Sequence, residues 1–229
     1  MENERLLIKA GTVYTRLQNY FGEQEWHTTL PALDELVCTV LSQNTNDRNR
    51  DIAFNALRQQ FPSWEEVRDA LLSEIIAAIR PAGLANQKGA RIQQLLRQIT
   101  AERGSLDLAF LKSLPADDVK NWLMIFKGVG PKTASIVMVF SLGIPAFPVD
   151  THIYRVSGRL GLRPLEMSVE DAHLHLAALF RPENYGPAHL CLITLGREIC
   201  QARKPLCSKC PLQDICDYFL NLNPVDTGQ

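Results

Sequence analysis

The chain has 229 residues, enough for one large domain or two modest ones. Hydrophobic residues make up 46% and charged residues 21%, an ordinary globular balance that excludes a low-complexity or disordered polymer. The net charge of −1 excludes a globally basic nucleic-acid binder, so any affinity for DNA must come from a local basic face. Leu and Ala at helical spacing predict an all-α fold. No apolar run reaches the length of a bilayer span, so no membrane partner is expected. Met1-Glu2-Asn3-Glu4-Arg5 lacks the basic start and apolar core of a secretory signal. The expected location is the cytoplasm, with the nucleoid if the source is prokaryotic.

Residues 1–25 predict one amphipathic helix, because Leu6, Leu7, Ala10, Val13, Leu17 and Phe21 recur at helical spacing. Pro31 opens a second helix with a core stripe of Leu36, Val37, Val40 and Leu41. Ser42-Gln43-Asn44-Thr45-Asn46-Asp47 then sets six polar residues in a row, the composition of a helix–helix connection with an N-cap. Helices are expected over 47–60, 64–79 and 88–103. Ser63, with Glu66 three residues on, forms a capping box for the second of them. Ahead of the third, Gly83 is expected as a left-handed cap and Leu84 as an exposed residue at the bend, which is ordinary for a single leucine.

A further helix starts near Pro115 and runs into Lys127-Gly128-Val129-Gly130-Pro131, and a second apolar helix follows from Lys132. Two glycines two apart permit a sharp turn and close approach of a ligand, and Pro131 suits a first helical position. Open N–H groups and the positive helix end make an anion site there. This is a helix–hairpin–helix, and the phosphate backbone of a nucleic acid is its natural guest. Eighteen residues after Lys132, past Gly143-Ile144-Pro145, stands Asp150 in Val149-Asp150-Thr151-His152. A lysine and a carboxylate beside a phosphate anchor point to amine-based nucleophilic chemistry. Plainer readings are a phosphate-contacting surface lysine, an N-cap aspartate, and packed or capping roles for His152, His173, His175 and His189. Helices are also expected from Ile153 to a break at Arg163-Pro164, from Ser168 to Phe180, and over 187–199. The polar tail from Asn221 is expected to be loosely held.

The six cysteines are unevenly placed: Cys38 and Cys191 stand in apolar surroundings, whereas Cys200, Cys207, Cys210 and Cys216 lie within 17 residues. In a reducing compartment such a cluster reads as metal binding rather than disulfides. Zinc is the generic alternative, but its usual sets are separated CxxC pairs or Cys with His, and no His lies between Cys200 and Cys216. Arg203, Lys204 and Lys209 are interleaved with the cysteines and supply a local basic surface able to touch phosphates.

The residues 128–134 (Gly-Val-Gly-Pro-Lys-Thr-Ala) and 149–156 (Val-Asp-Thr-His-Ile-Tyr-Arg-Val), with the cysteine spacing, resemble the endonuclease III family of DNA glycosylases. The resemblance spans most of the chain. It implies a six-helix barrel over 26–143 and a discontinuous iron–sulfur domain formed by 1–25 and 144–229, with the active site in the cleft between. It implies a [4Fe–4S] cluster on Cys200, Cys207, Cys210 and Cys216. It implies Lys132 as nucleophile, with Asp150 accepting its proton. Lys127, Gly128, Val129 and Gly130 would hold phosphates, with Arg203 and Lys204 as further DNA contacts. The amide of Asn44, beside Gln43, and the wedge Leu84 would fill the gap left by an everted nucleotide. The implied function is a bifunctional DNA glycosylase/AP lyase of base excision repair, a monomer acting on double-stranded DNA with a damaged base or abasic site, first among lesions the oxidised pyrimidines. The adenine-removing branch lacks the lysine, and the thymine-mismatch branch carries a Tyr in its place. Alternatives are a mismatch or 8-oxoguanine glycosylase on the same scaffold, or a non-catalytic helix–hairpin–helix module that only binds DNA.

Overall fold

The computed structural model describes residues 2–23 and 30–222. Among these the chain is all-helical, with twelve α-helices joined by short 3₁₀ and π segments and no strand. Among them, too, no helix is long and apolar enough to cross a membrane. The chain divides into two compact units, one of Thr28–Ile144 and one of Met1–His27 with Pro145–Gln229.

The first unit contains α2 (Ala32–Ser42), α3 (Asp47–Gln60), α4 (Trp64–Asp69), α5 (Leu72–Ala78), α6 (Ala85–Arg103), α7 (Ala116–Met124) and α8 (Pro131–Val137). The stripe Leu36, Val37, Val40 and Leu41 is wholly buried, and α2 packs on α3, α6 and α8. Such a stripe forms one face of a helix, and its burial removes apolar area from water. The polar run after α2 ends at Asn46, whose side chain accepts from the Asn49 amide at 2.9 Å and caps α3. Ser63 accepts from the Glu66 amide at 3.2 Å and caps α4.

The single helix expected over 64–79 is instead two. Ala70 and Leu71 are extended, and Glu74 reaches back to accept from the Leu71 amide at 3.2 Å. The carbonyls exposed by the break are met by buried Gln93 of α6, whose Nε2 donates to Ala70 at 2.8 Å and Arg68 at 3.2 Å. Both short helices thereby pack on α6. The third expected helix starts earlier than residue 88, at Ala85, and ends as expected at Arg103, with Gly104 as its C-cap.

The second unit contains α1 (Glu2–Phe21), α9 (Thr151–Leu160), α10 (Val169–Ala177), α11 (Tyr185–Glu198) and α12 (Asp217–Leu222). Ala10, Val13 and Leu17 of α1 share a core with Ile153, Val156 and Leu160 of α9 and with Leu192 and Leu195 of α11. Helix α1 stops at Phe21, short of the expected residue 25, because the chain turns at Gly22 with φ +81; residues 24–29 and 223–229 lie outside the described residues. The tail was expected to loosen from Asn221, yet α12 reaches Leu222, where Asp217 at its first turn pairs with Lys9 of α1 at 2.5 Å. Helix α10 stops at Ala177, short of Phe180, because Phe180 turns in to stack on Phe147, with ring centroids 5.1 Å apart.

Gln93→Leu should lower stability by about 2 kcal/mol, since it leaves the break's carbonyls unmet. The same change at exposed Gln94 should stay within about 0.5 kcal/mol. Urea unfolding of the two variants checks the contrast; equal effects would remove Gln93 from this role.

Candidate functional site

The hairpin between α7 and α8 is built on Phe126, which is 1% exposed and packs edge-on against Trp122 with centroids 4.9 Å apart. The Val129 amide turns back to the Phe126 carbonyl at 3.0 Å. Gly128 has φ +87, a region that side chains rarely enter, and a Cβ there would collide with the Arg91 guanidinium. Gly130 is the N-cap of α8 and Pro131 its first residue, with no side-chain cap present. The amides of that first turn therefore have no acceptor within the helix and lie at its positive end, the arrangement that binds anions. Lys132 sits in this turn, half-buried, and Lys127 and Gly128 are exposed at the turn. Helix α8 passes into a π segment, Met138–Leu142, closed by Gly143 at φ +69.

Two of the expected gap-filling positions share a rare backbone state. Asn44 has φ +54 and Leu84 has φ +48, and both are exposed, Leu84 by 50%. Lys204, in the cysteine loop, is the third non-glycine residue at positive φ among the described residues, at φ +53. Such conformations cost of order 1–3 kcal/mol and cluster at working sites. Gln43 behaves differently from Asn44. Its Oε1 accepts from Arg91 Nη1 at 2.7 Å and its Nε2 donates to the Gly128 carbonyl at 3.0 Å. The structure thus ties Gln43 to the hairpin. Lys88, 2% exposed, donates to the carbonyls of Leu41 at 2.7 Å and Ala82 at 2.8 Å, at the roots of the two loops. Burial, and then nearby Arg91, push its pKa below that of an ordinary lysine. Neither Lys88 nor Arg91 carries a motif that would mark it in the sequence.

In the second unit Asp150 is 9% exposed and is the N-cap of α9, its Oδ1 accepting from the Ile153 amide at 2.7 Å. The segment leading to it is held by two buried histidines. His173 Nδ1 bonds the Phe147 carbonyl and His189 Nδ1 bonds the Pro148 carbonyl, each at 3.0 Å. Since a carbonyl can only accept, both Nδ1 atoms carry the proton. His152 lies 3.2 Å from Arg155 and packs against Gly196 of α11. His175 bonds the Leu162 carbonyl at 2.9 Å.

Cys200, Cys207, Cys210 and Cys216 all line one cavity, walled by Leu160, Ile199 and Phe219. Among the described residues no three His, Cys, Asp or Glu groups are set to hold a single metal ion. Burial, with the other three sulfurs adding to it, pushes the Cys210 thiol up to about 11; Cys216 is raised as well, chiefly by burial. Four sulfurs in an apolar cavity, with Arg159 Nη1 at 3.4 Å from the Cys200 sulfur, fit a metal–sulfur group. The loop is tied to α1 by Arg16, paired with Asp214 at 2.6 Å. Arg203, Lys204 and Lys209 are exposed on it.

A helix–hairpin–helix unit together with a four-cysteine loop is the design of a class of DNA-repair proteins, and the comparisons agree. Residues 37–182 match the HhH-GPD superfamily of base excision DNA repair proteins, and residues 200–216 match the iron–sulfur binding domain of endonuclease III. An endonuclease III of Sulfolobus acidocaldarius is 33% identical over 188 residues, covering 81% of this chain and 82% of that protein. A protein of Arabidopsis thaliana is 38% identical over 178 residues, 78% of this chain, and the chain spans 58% of that relative's length. A solved endonuclease III–DNA covalent intermediate has a TM-score of 0.82 at 26% identity, covering 94% of this chain and 98% of that one. The chain belongs to the endonuclease III family within the HhH-GPD superfamily. Its residues 200–216 are accordingly an iron–sulfur binding loop.

Gly128→Ala should cost about 1–2 kcal/mol from its left-handed backbone alone, and should shift the hairpin amides and weaken binding to duplex DNA. Urea unfolding and fluorescence anisotropy read the two effects; unchanged affinity would separate the hairpin from DNA binding. Burial pushes the thiols of Cys38 and Cys191 up to about 12 and about 11. In cluster-loaded protein at about pH 8 both should therefore resist iodoacetamide, because the thiolate is the reactive form. Rapid labelling of either, read by mass spectrometry, would contradict their burial.

Proposed function

We propose that the protein is a bifunctional DNA glycosylase/AP lyase of base excision repair, acting as a monomer on double-stranded DNA that carries a damaged base, foremost an oxidised pyrimidine, or an abasic site. The observation that carries this reading is Lys132 in the first turn of the helix behind the Gly128–Gly130 hairpin. An amine there sits beside a phosphate anchor and a positive helix end, where a sugar held by its phosphates can be attacked. The solved endonuclease III relative was itself trapped as a covalent intermediate on DNA.

A damaged base inside a duplex is out of reach, so its nucleotide must be everted. Lys132 Nζ attacks C1′ of the everted sugar. The C1′–base bond breaks, and the base leaves with the bonding pair. Asp150 takes a proton from the new C1′–N centre and its charge opposes the positive charge building on the sugar. Ring opening gives a Schiff base. Loss of a C2′ proton then expels the 3′ phosphate by β-elimination and nicks the strand. Water finally hydrolyses the Schiff base and frees Lys132. Asn44 and Leu84 occupy the gap in the duplex, and Arg203 and Lys204 add contacts to the backbone. Cys200, Cys207, Cys210 and Cys216 hold a [4Fe–4S] cluster, which serves as a cross-link within the loop.

Borohydride trapping on an oligonucleotide with an abasic or thymine-glycol site tests the reading. Wild-type protein should form a covalent adduct that Lys132→Ala abolishes. Binding without any wild-type adduct would leave only a DNA-binding module. Asp150 needs a subtler variant because it also caps α9. Asp150→Asn keeps an oxygen for the Ile153 amide and removes the charge. Stability should then change by less than about 0.5 kcal/mol, while base release slows by about 100-fold or more. A large stability loss with unchanged turnover would make Asp150 a cap alone. A panel of lesion-bearing duplexes, scored separately for base release and nicking, fixes the lesion class.

A further inference from the structure

One face of α6 meets all three segments that the repair reading brings to DNA in this unit. Leu84 stands at its N-cap, Lys88 four residues on and Arg91 three further, a helical spacing that keeps them on one side. Lys88 bonds the Leu41 carbonyl, just before the loop that carries Asn44, and the Ala82 carbonyl, just before Gly83-Leu84. Arg91 bonds Gln43 within that loop, Gln43 bonds Gly128, and the guanidinium fills the space over Gly128.

We propose that Lys88 and Arg91 are positioning residues that lock the Asn44 loop and the Leu84 bend to the hairpin, so that gripping a phosphate and filling the emptied duplex are one coupled event. The inference rests on the repair reading and adds two residues to it. Asn44 and Leu84 are both held at positive φ, which persists only where the surroundings over-determine it. The bonds from Lys88 and Arg91 are such surroundings. A methionine would fill the space of Lys88 with no charge to desolvate, and a buried ammonium is tolerated where its donors are needed. Gln43 spends both ends of its amide on the hairpin tie, which transmits any shift of the Gly128 carbonyl to the residue beside Asn44.

The test compares binding to two fluorescein-labelled duplexes of one sequence, one intact and one carrying a tetrahydrofuran abasic analogue. The intact duplex offers phosphates only; the analogue also offers a gap. In Arg91→Met the preference for the analogue should fall by about tenfold, with intact-duplex affinity and melting temperature essentially unchanged. Lys88→Met should lose preference in the same way, and Arg91→Met, at a half-buried site, keeps the test open if Lys88→Met does not fold. Combining Arg91→Met with Leu84→Ala should cost no more preference than Leu84→Ala alone. A parallel loss on both duplexes would make Arg91 a plain phosphate contact and overturn the proposal. So would an unchanged preference, or multiplicative losses in the double variant. A wild-type protein with no preference at all would fail earlier, sinking the repair reading and the coupling with it.

Discussion

The hairpin depends on one steric fact: the backbone at Gly128 turns through positive φ beside the Arg91 side chain, where an added Cβ would collide. The same guanidinium reaches Gln43, whose amide returns to the Gly128 carbonyl. The turn is thus closed by a ring of contacts among three segments far apart in sequence. Phe126 and Trp122 anchor it from the apolar side. A phosphate-binding turn must present its amides in fixed directions, because anion binding at a helix end depends on aligned N–H groups. Packing from Phe126 and Trp122 supplies that rigidity before any ligand arrives, while the Arg91 bridge ties the turn to Gln43 and its loop.

Backbone strain is distributed to match. Asn44, Leu84 and Lys204 are the three non-glycine residues at positive φ among those described, and the endonuclease III resemblance implies a DNA contact for all three. Strain of this kind lowers stability, so it survives only where neighbouring bonds offset it. At Asn44 and Leu84 those neighbours are identifiable, since Lys88 holds the root of each loop. An exposed leucine in a left-handed conformation is far less ordinary than an exposed leucine alone.

Much of the helical order was legible because it is local. Ser63 with Glu66, and the proline after Gly130, act within one turn, and a reader of the sequence can place them. The core stripe of α2 repeats at the helical period and was legible for the same reason. What escaped was long-range and polar. The break between α4 and α5 is stabilised by Gln93, more than twenty residues away, so the stretch 64–79 looked like one helix. Lys88 and Arg91 looked like ordinary helical cations, because nothing local says that one is buried and the other spans two segments. The four cysteines were legible as a metal-binding loop from their clustering and the family resemblance, yet the Arg159 contact with the Cys200 sulfur comes from a helix 41 residues earlier.

The buried polar groups show what the two units have in common. Lys88, Gln93, His173 and His189 are each at most 6% exposed, and each bonds at least one backbone carbonyl remote in sequence. Burying each carries a desolvation cost, which is offset by the carbonyls it meets. What they supply is the fixed course of irregular chain, which apolar packing alone defines poorly because it is non-directional. His173 and His189 fix the segment that delivers Asp150 to its capping position, and Lys88 fixes the two loops around Asn44 and Leu84. On the proposed reading, a catalyst that must hold an everted nucleotide needs its non-helical segments as rigid as its helices. Buried donors aimed at loop carbonyls give that rigidity where no helical hydrogen-bond ladder can.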